Sequence, residues 1–497
     1  MRSIQDSPII IIGAGIGGLS AAINLAISGR RNVTVFEKND QTGGKMGQLS
    51  QGGYRWDTGP SVITMLSVIQ DLFVCANRNL DDYLKFIPIE PLTRYFFPDG
   101  QMFDLSRDHA KTLRQIEQLD THDIEGYLAF LAHAARIHRI TAPVFIYSQP
   151  PTLRSFLQVP IKDYFKIDPL RTINRAASSF VRSPYLRQIF NRFATYVGAS
   201  PYLAPATLNV IAHVELNQGV WYPSGGIFQI AEALTRLAQE LGVDIRTNSE
   251  VKQITTSQTQ VTGVITSDGV LHTVGTVIAN VDILTTTEKL LTSAALPAKQ
   301  VFSNHKLSSS GFILLLGING THQQLAHHNI FFSPDYRLEF EQIFKHNRPP
   351  DHPTIYLSIT SKSDPTHAPP GKENWFVLVN TPATDSSFDW QEFAPSYRDR
   401  IIETLKGFGL TISAHIEDES IITPDDLARQ SGAYRGALYG FSSNDRLAAF
   451  RRPPNRDARI KGLYYAGGTT HPGGGVPMVM LSGKVAAEMV VHDAQKY

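Results

Sequence analysis

Ile9-Ile10-Ile11-Ile12-Gly13-Ala14-Gly15-Ile16-Gly17-Gly18 is the stretch whose reading decides the fold. Four branched apolar residues in a row suit a parallel strand buried on both faces. Small residues follow (Ser20, Ala21, Ala22, Ala26), then a second apolar run, Val33-Thr34-Val35-Phe36, closed by Glu37. A G-x-G-x-x-G turn between a strand and a helix, with an acid ending the next strand, is the signature of a bound dinucleotide. Gly13 permits the tight turn, Gly15 lets the backbone approach a pyrophosphate, and Gly18 allows close helix–strand packing. The helix start supplies N–H donors and a partial positive charge. Glu37 is suited to accept hydrogen bonds from a ribose diol, where an arginine would point to a 2′-phosphate. Further glycine signals lie at Gly43-Gly44-Lys45 and Asp57-Thr58-Gly59-Pro60.

The chain has 497 residues, enough for two or three lobes with their own cores. Its formal charge of +1 implies no bulk attraction to nucleic acid. The one cysteine, Cys75, has no partner for an intramolecular disulfide and is expected as a buried thiol in a reducing compartment. The amino-terminal residues do not read as a secretory leader. No run reaches the roughly 18 apolar residues of a spanning helix, so the expectation is a soluble or peripherally attached protein.

A second organised block starts at Gly225-Gly226. Ile227 to Leu241 has helical apolar spacing, and strands are expected at 242–245, 251–254, 260–265, 270–274 and 276–280. This block would extend the first sheet, which makes the nucleotide domain discontinuous: 1–90, 216–285 and 455–497. A substrate domain is expected over 91–120 and 286–454, with strands at 310–320, 353–360 and 374–380. Residues 121–215 are expected as a helical, membrane-facing region. Its basic–apolar stretches, such as Arg154 to Leu157 and Leu170 to Arg175, could rest on anionic lipid or simply form solvated helix faces.

Near the carboxy terminus, Gly462 to Ala466 reads as a strand and Gly467 to Gly475 as a glycine-dense turn. Val476 to Val491 reads as a helix with small residues at Ser482, Gly483, Ala486 and Ala487. A second strand–glycine–helix element offers a second helix N-terminus. A mononucleotide needs one; a long cofactor such as FAD can use both.

The chain resembles the phytoene desaturase family of flavoproteins, the bacterial carotenoid desaturases. The resemblance rests on the amino-terminal glycine run, Trp221 to Gly226, Thr423 to Leu427, Arg452 to Arg456, and Leu463 to Pro477. Tyr196 to Tyr202 and Ala204 to Thr207 are most similar to the hydroxycarotenoid 3,4-desaturases and the diapocarotenoid desaturases. The resemblance implies an α/β architecture: a Rossmann-like FAD-binding domain of the monoamine-oxidase-like kind, a mixed-sheet substrate domain and a helical lid. The implied cofactor is non-covalent FAD, and the implied partners are an apolar carotenoid and the inner face of the cell membrane. Gly13, Gly15, Ile16, Gly17 and Gly18 would hold the pyrophosphate, with Glu37 and Lys38 at the ribose. Gly44, Lys45, Gly59, Pro60 and Ser61 would border the flavin, and Val251 the adenine. Gly467, Gly468, Val476, Pro477 and Met478 would cradle the ribityl and pyrimidine end.

The implied reaction removes two hydrogens from an allylic CH2–CH2 unit, with hydride passing to flavin. Polyene oxygenation or cis–trans isomerisation remain open within the family. A remoter alternative is a non-catalytic prenyl-binding protein, like the Rab GDP-dissociation inhibitors of the same fold. His471 stands beside the flavin turn as a contact or a turn-stabilising residue. His322, His327 and His328, expected in a helix–loop region, do not suggest a metal site. Some family members carry a carboxylate in the stretch aligned with Phe180 to Arg187; this chain has none there, and no catalytic base is named.

Overall fold

The computed structural model describes residues 7–151, 160, 163, 166–291, 306–385 and 388–495. The strand Ile9–Ile12 is the centre of a five-stranded, all-parallel sheet in the order Leu463–Tyr465, Thr276–Ala279, Ile9–Ile12, Val33–Phe36, Asp244–Arg246. Three distant stretches of chain therefore meet in one sheet. Ile9 and Ile11 face helices, while Ile10 and Ile12 face an antiparallel meander of Val251–Ser257, Gln260–Thr266 and Leu271–Thr273. Cover on both faces explains the unbroken isoleucine run.

The helices Ile16–Ile27, Phe228–Glu240 and Val476–Ala494 pack on the first face. Gly483 makes the close approach of the first and last possible. A Cβ there would lie 2.3 Å from the Gly17 carbonyl oxygen. Ser20 Oγ donates to the Met480 carbonyl at 2.7 Å across the same contact.

The second sheet has seven strands: Ile416–Ile422, Ser310–Asn319, Lys372–Thr381, Ile355–Ser358, His328–Phe331, Thr93–Phe96 and Met102–Leu105. It is mixed, since His328–Phe331 and Thr93–Phe96 pair in parallel and the other pairs are antiparallel. Phe312, Leu314, Leu316 and Ile318 pack against Trp390, Tyr397, Ile401 and Leu405 of the helix Trp390–Gly407. Alternation sends Ile313 and Leu378 to the other face, toward the parallel sheet.

A helical layer closes the third side: His109–Leu119, Asp123–Thr141, Ile173–Phe180, Pro184–Arg192 and Val210–Leu216. Arg154 to Leu157 lie outside the described residues. Leu170 is exposed, whereas Arg171 is tied to Asp168. No helix among the described residues is long and apolar enough to cross a membrane.

Two expectations are corrected. Cys75 is exposed rather than buried, because it ends the helix Leu66–Cys75 away from the face carrying Val68, Ile69, Leu72 and Phe73. The histidine segment is loop and strand, not helix: His328 starts His328–Phe331, whose alternating neighbours commit it to the sheet.

Candidate functional site

Both sheets and the helical layer open onto one cavity of about 850 Å³. At one end, Gly13 (φ +95°) turns the chain out of the central strand. The helix Ile16–Ile27 begins with Gly15 as N-cap and no side-chain cap, so its first N–H groups are available to a ligand. A Cβ on Gly18 would fall 2.1 Å from the Gly13 carbonyl oxygen, which explains glycine there by packing rather than by ligand contact. A Cβ on Gly17 would lie 3.2 Å from the Gly467 Cα, so the two glycine turns touch. The second turn ends at Gly475, which heads Val476–Ala494, again with no side-chain cap.

Glu37 is buried, and both its oxygens take backbone donors: Oε2 from Ala14 N–H (2.8 Å) and Oε1 from Asn39 N–H (3.0 Å). Each oxygen keeps a lone pair for a further donor. Lys38 Nζ donates to the Arg429 carbonyl at 3.1 Å. Lys45 faces the cavity and donates to the carbonyls of Leu438 (2.9 Å) and Ala437 (3.3 Å). The dense surroundings lower its pKa, and Asp282 opposes that shift. Gly13, Gly15, Ile16, Gly17, Glu37, Lys38, Gly44, Lys45, Gly59, Pro60, Ser61, Val251, Gly467, Gly468 and Val476 all line this cavity. Gly18, Pro477 and Met478 do not.

His471, within the second turn, is buried and is not on the wall. Its Nε2 donates to the Ser148 carbonyl (2.9 Å), and its own carbonyl accepts from Asn455 Nδ2 (2.9 Å). Burial holds its pKa down at about 4. These are the contacts of a neutral residue that pins a turn. The Phe180 to Arg187 segment does meet a carboxylate, but from another helix. Buried Asp123 accepts the N–H groups of Arg182 and Ser183, each at 2.6 Å, and so fixes the lead-in to Pro184–Arg192, which Ser183 itself caps by accepting from Leu186 N–H.

The other end of the cavity holds residues that sequence reading passed over. Arg192, Tyr196, Tyr336, Tyr356 and Tyr439 join Ile313, Ile330, Leu378 and Leu438 on its wall. Arg192 ends the helix Pro184–Arg192 and pairs with Glu215 of Val210–Leu216 at 3.1 Å, both almost fully buried. Tyr196 donates its hydroxyl to the same carboxylate. Burial opposes the charge of Arg192 most strongly, but Glu215 together with Tyr196 and Tyr95 more than offsets it and holds the pKa well above its usual value. Burial pushes Tyr356 and Tyr439 up to about 12, so their phenols stay protonated. Asn280, which ends the strand Thr276–Ala279, was also missed; its Nδ2 donates to the Gly13 carbonyl at 3.4 Å behind the turn. A polar residue ending a buried strand beside a glycine turn was the available signal. Arg192 and Glu215 gave none, since their pairing depends on how two helices pack.

Two uncapped helix starts, a buried acid with free lone pairs and walls of glycine fit a long dinucleotide cofactor. The family described as flavin containing amine oxidoreductase matches residues 16–491, and the chain belongs to that family. It is an FAD-dependent oxidoreductase.

The chain is 36% identical over 491 residues to a 1-hydroxycarotenoid 3,4-desaturase from Flavobacterium sp. (strain P99-3), covering 97% of this chain and 98% of the relative. It is equally 36% identical over 486 residues to a 4,4'-diaponeurosporene oxygenase from Staphylococcus aureus (strain MW2), covering 97% of each. Among solved structures, an oxidoreductase from Methanosarcina mazei shares the fold with a TM-score of 0.62 at 19% identity, covering 98% of this chain and all of that one.

Proposed function

We propose that this protein is a carotenoid desaturase, introducing C=C bonds into a linear C40 or C30 carotenoid. The observation that carries the reading is the continuity of the cavity: a nucleotide end made of glycines and Glu37 runs into a chamber walled by Ile313, Ile330, Leu378 and tyrosines. A long apolar polyene has few groups to grasp, so orientation has to come from the shape of an apolar wall. Both relatives, by their names, act on carotenoids.

The chemistry that bound FAD supplies is hydride removal from an activated CH2. Gly13, Gly15, Gly17, Gly467 and the two helix starts would hold its phosphates and pyrimidine end, with Glu37 at the ribose. The sheet residues Ile313 and Leu378 hold the polyene flat and exclude water. Asn280 and Asp282 stiffen the strand end beneath the glycine turn through bonds to Gly13 and to the backbone of Leu284 and Tyr434. The remaining proton leaves to water, since no side chain is assigned as base. Exposed Tyr147, Leu170 and Leu203 on the helical side support peripheral attachment to the inner face of the cell membrane, where such a substrate resides.

Flavin-loaded protein, mixed anaerobically with linear carotenes in liposomes, should bleach and yield products lighter by two hydrogens. Retained flavin with every C30 and C40 carotenoid unchanged would end this reading. A second reading is oxygenation, favoured by the equal identity to a named oxygenase; products gaining oxygen would select it.

A further inference from the structure

The desaturation proposed above releases a proton each time a hydride departs, inside a chamber whose apolar walls exclude water. A polar passage lies beside that chamber. Ser61 lines the main cavity and also a second, small one, shared with Asp57, Ser358, Thr360 and Asn374. The small cavity measures about 10 Å³. One water needs about 10–15 Å³ and a few polar partners. Ser358 Oγ is buried there and has no hydrogen-bond partner among the described residues. From this cavity the polar groups continue toward the surface. Thr360 Oγ1 accepts from Asn374 Nδ2 at 2.7 Å, so its own hydrogen is free to reach His367 Nδ1 at 2.9 Å. In that arrangement the His367 hydrogen sits on Nε2, which has no hydrogen-bond partner among the described residues and lies 3.5 Å from Asp364 Oδ2. Thr360 and His367 are buried, and Asp364 is partly exposed. Burial, reinforced by Arg55, lowers the His367 pKa against the pull of Asp364 and Asp57. The ring therefore rests neutral, one nitrogen accepting and one donating, the state from which an imidazole hands a proton on.

We propose that the small cavity holds one water, and that Ser61, this water, Thr360, His367 and Asp364 form the path by which the proton of the reaction reaches solvent. The water site rests on geometry alone; its use by the proton rests on the carotenoid reading above. Groups placed only for packing would be paired within the protein, and Ser358 Oγ and His367 Nε2 are not. Ser61 takes the incoming proton on its oxygen and gives its own hydrogen to the water. The water does the same to Thr360, and Thr360 to His367 Nδ1. His367 then releases its Nε2 hydrogen to Asp364, which passes it to solvent. Each O–H or N–H bond broken is matched by one formed. One proton enters, one leaves, and no electrons move along the path.

Two measurements test it. A crystal structure of the flavin-loaded protein should show an ordered water within hydrogen-bond distance of Ser358 Oγ and Thr360 Oγ1; a cavity without one overturns the proposal. In the second, flavin-loaded enzyme meets a linear carotene in liposomes, anaerobically and with a pH indicator, and bleaching and proton release are followed together. Thr360→Val keeps the shape and removes the hydroxyl, and should slow both by about 10- to 100-fold per bound flavin. His367→Asn keeps an acceptor for Thr360 but has no second ring nitrogen, and should slow them alike. Thr360→Ser restores the hydroxyl and should return both rates to within about threefold of wild type. Wild-type rates in either Thr360→Val or His367→Asn overturn the path, as does a serine variant as slow as the valine one. Early melting or flavin loss with unchanged rates per bound flavin makes these residues structural and ends the proposal too. Wild-type flavin that no carotenoid bleaches sinks the carotenoid reading instead, and the water site then stands or falls on the crystal structure.

Discussion

The two ends of the cavity are built on opposite principles. At the nucleotide end the ligand-facing groups are main-chain donors, presented by Gly13 to Gly17 and Gly467 to Gly475 on helices that begin without side-chain caps. Glycine recurs there because the backbone itself is the binding surface, and at Gly15, Gly17 and Gly18 a Cβ would collide with a neighbouring group. At the other end the polar groups are large side chains, Arg192, Tyr196, Tyr336 and Tyr356, carried by elements that meet only when the helical layer folds over the mixed sheet. A backbone site tolerates little change in shape; a side-chain site tolerates shape change but not an unpaired charge.

That contrast can be broken by mutation. The largest effect is expected from Glu215→Ala, which leaves Arg192 buried without its counter-ion and should cost about 3–5 kcal/mol of stability in denaturant unfolding. If the cost is no more than that of a surface substitution, the pair is not the buried charge described for this end. Next, Gly18→Val forces a side chain into the Gly13 carbonyl. It should weaken FAD binding by about 10- to 100-fold, read by flavin titration, through roughly 1–3 kcal/mol of overpacking. Full flavin occupancy in that variant would contradict the close packing of the turn.

His471 sharpens the comparison, since it supports the nucleotide end from below as a neutral ring. Its pKa in the fold, about 4, lies below the ordinary 6.5, so the unfolded chain binds the extra proton first. Stability from this residue is intact above pH 6.5 and falls as the pH drops through that window toward 4, by at most about 1.4 kcal/mol per pH unit for one linked proton. In His471→Gln the slope of melting temperature against pH between 6.5 and 4 should flatten; an unchanged slope would assign it to other groups. The smallest effect is expected at Thr423. It caps the helix Pro424–Ser431 in a reciprocal box with Asp426, and Leu427 to Ser431 border the cavity. Thr423→Ala should cost about 1 kcal/mol in thermal unfolding, and a neutral result would show that the Asp426 side chain suffices as cap.

Most of the nucleotide end was legible before any coordinates, because its chemistry is local. Strand, glycine turn, helix and acid fall in one short run from Ile9 to Glu37, and each residue type answers a constraint set by its immediate neighbours. The same holds for the turn at Gly467 to Gly475. Gly18, Pro477 and Met478 were read as cofactor residues and stand off the cavity wall; Gly18 serves helix–strand packing, a role that its spacing alone does not separate from ligand contact. From its place in the turn His471 reads as either a cofactor contact or a turn-stabilising residue, and the burial of its ring against the Ser148 carbonyl supports the second.

The sequence by itself determined that this chain folds around a dinucleotide, since steric demands on glycine and the two-sided burial of a parallel strand are written residue by residue. The tertiary structure alone decided which large side chains meet at the other end of the cavity. Arg192 and Glu215 sit on different helices, and Tyr336 and Tyr356 belong to other elements again. Their meeting depends on long-range packing of apolar faces, which is non-directional and leaves no local spacing to read.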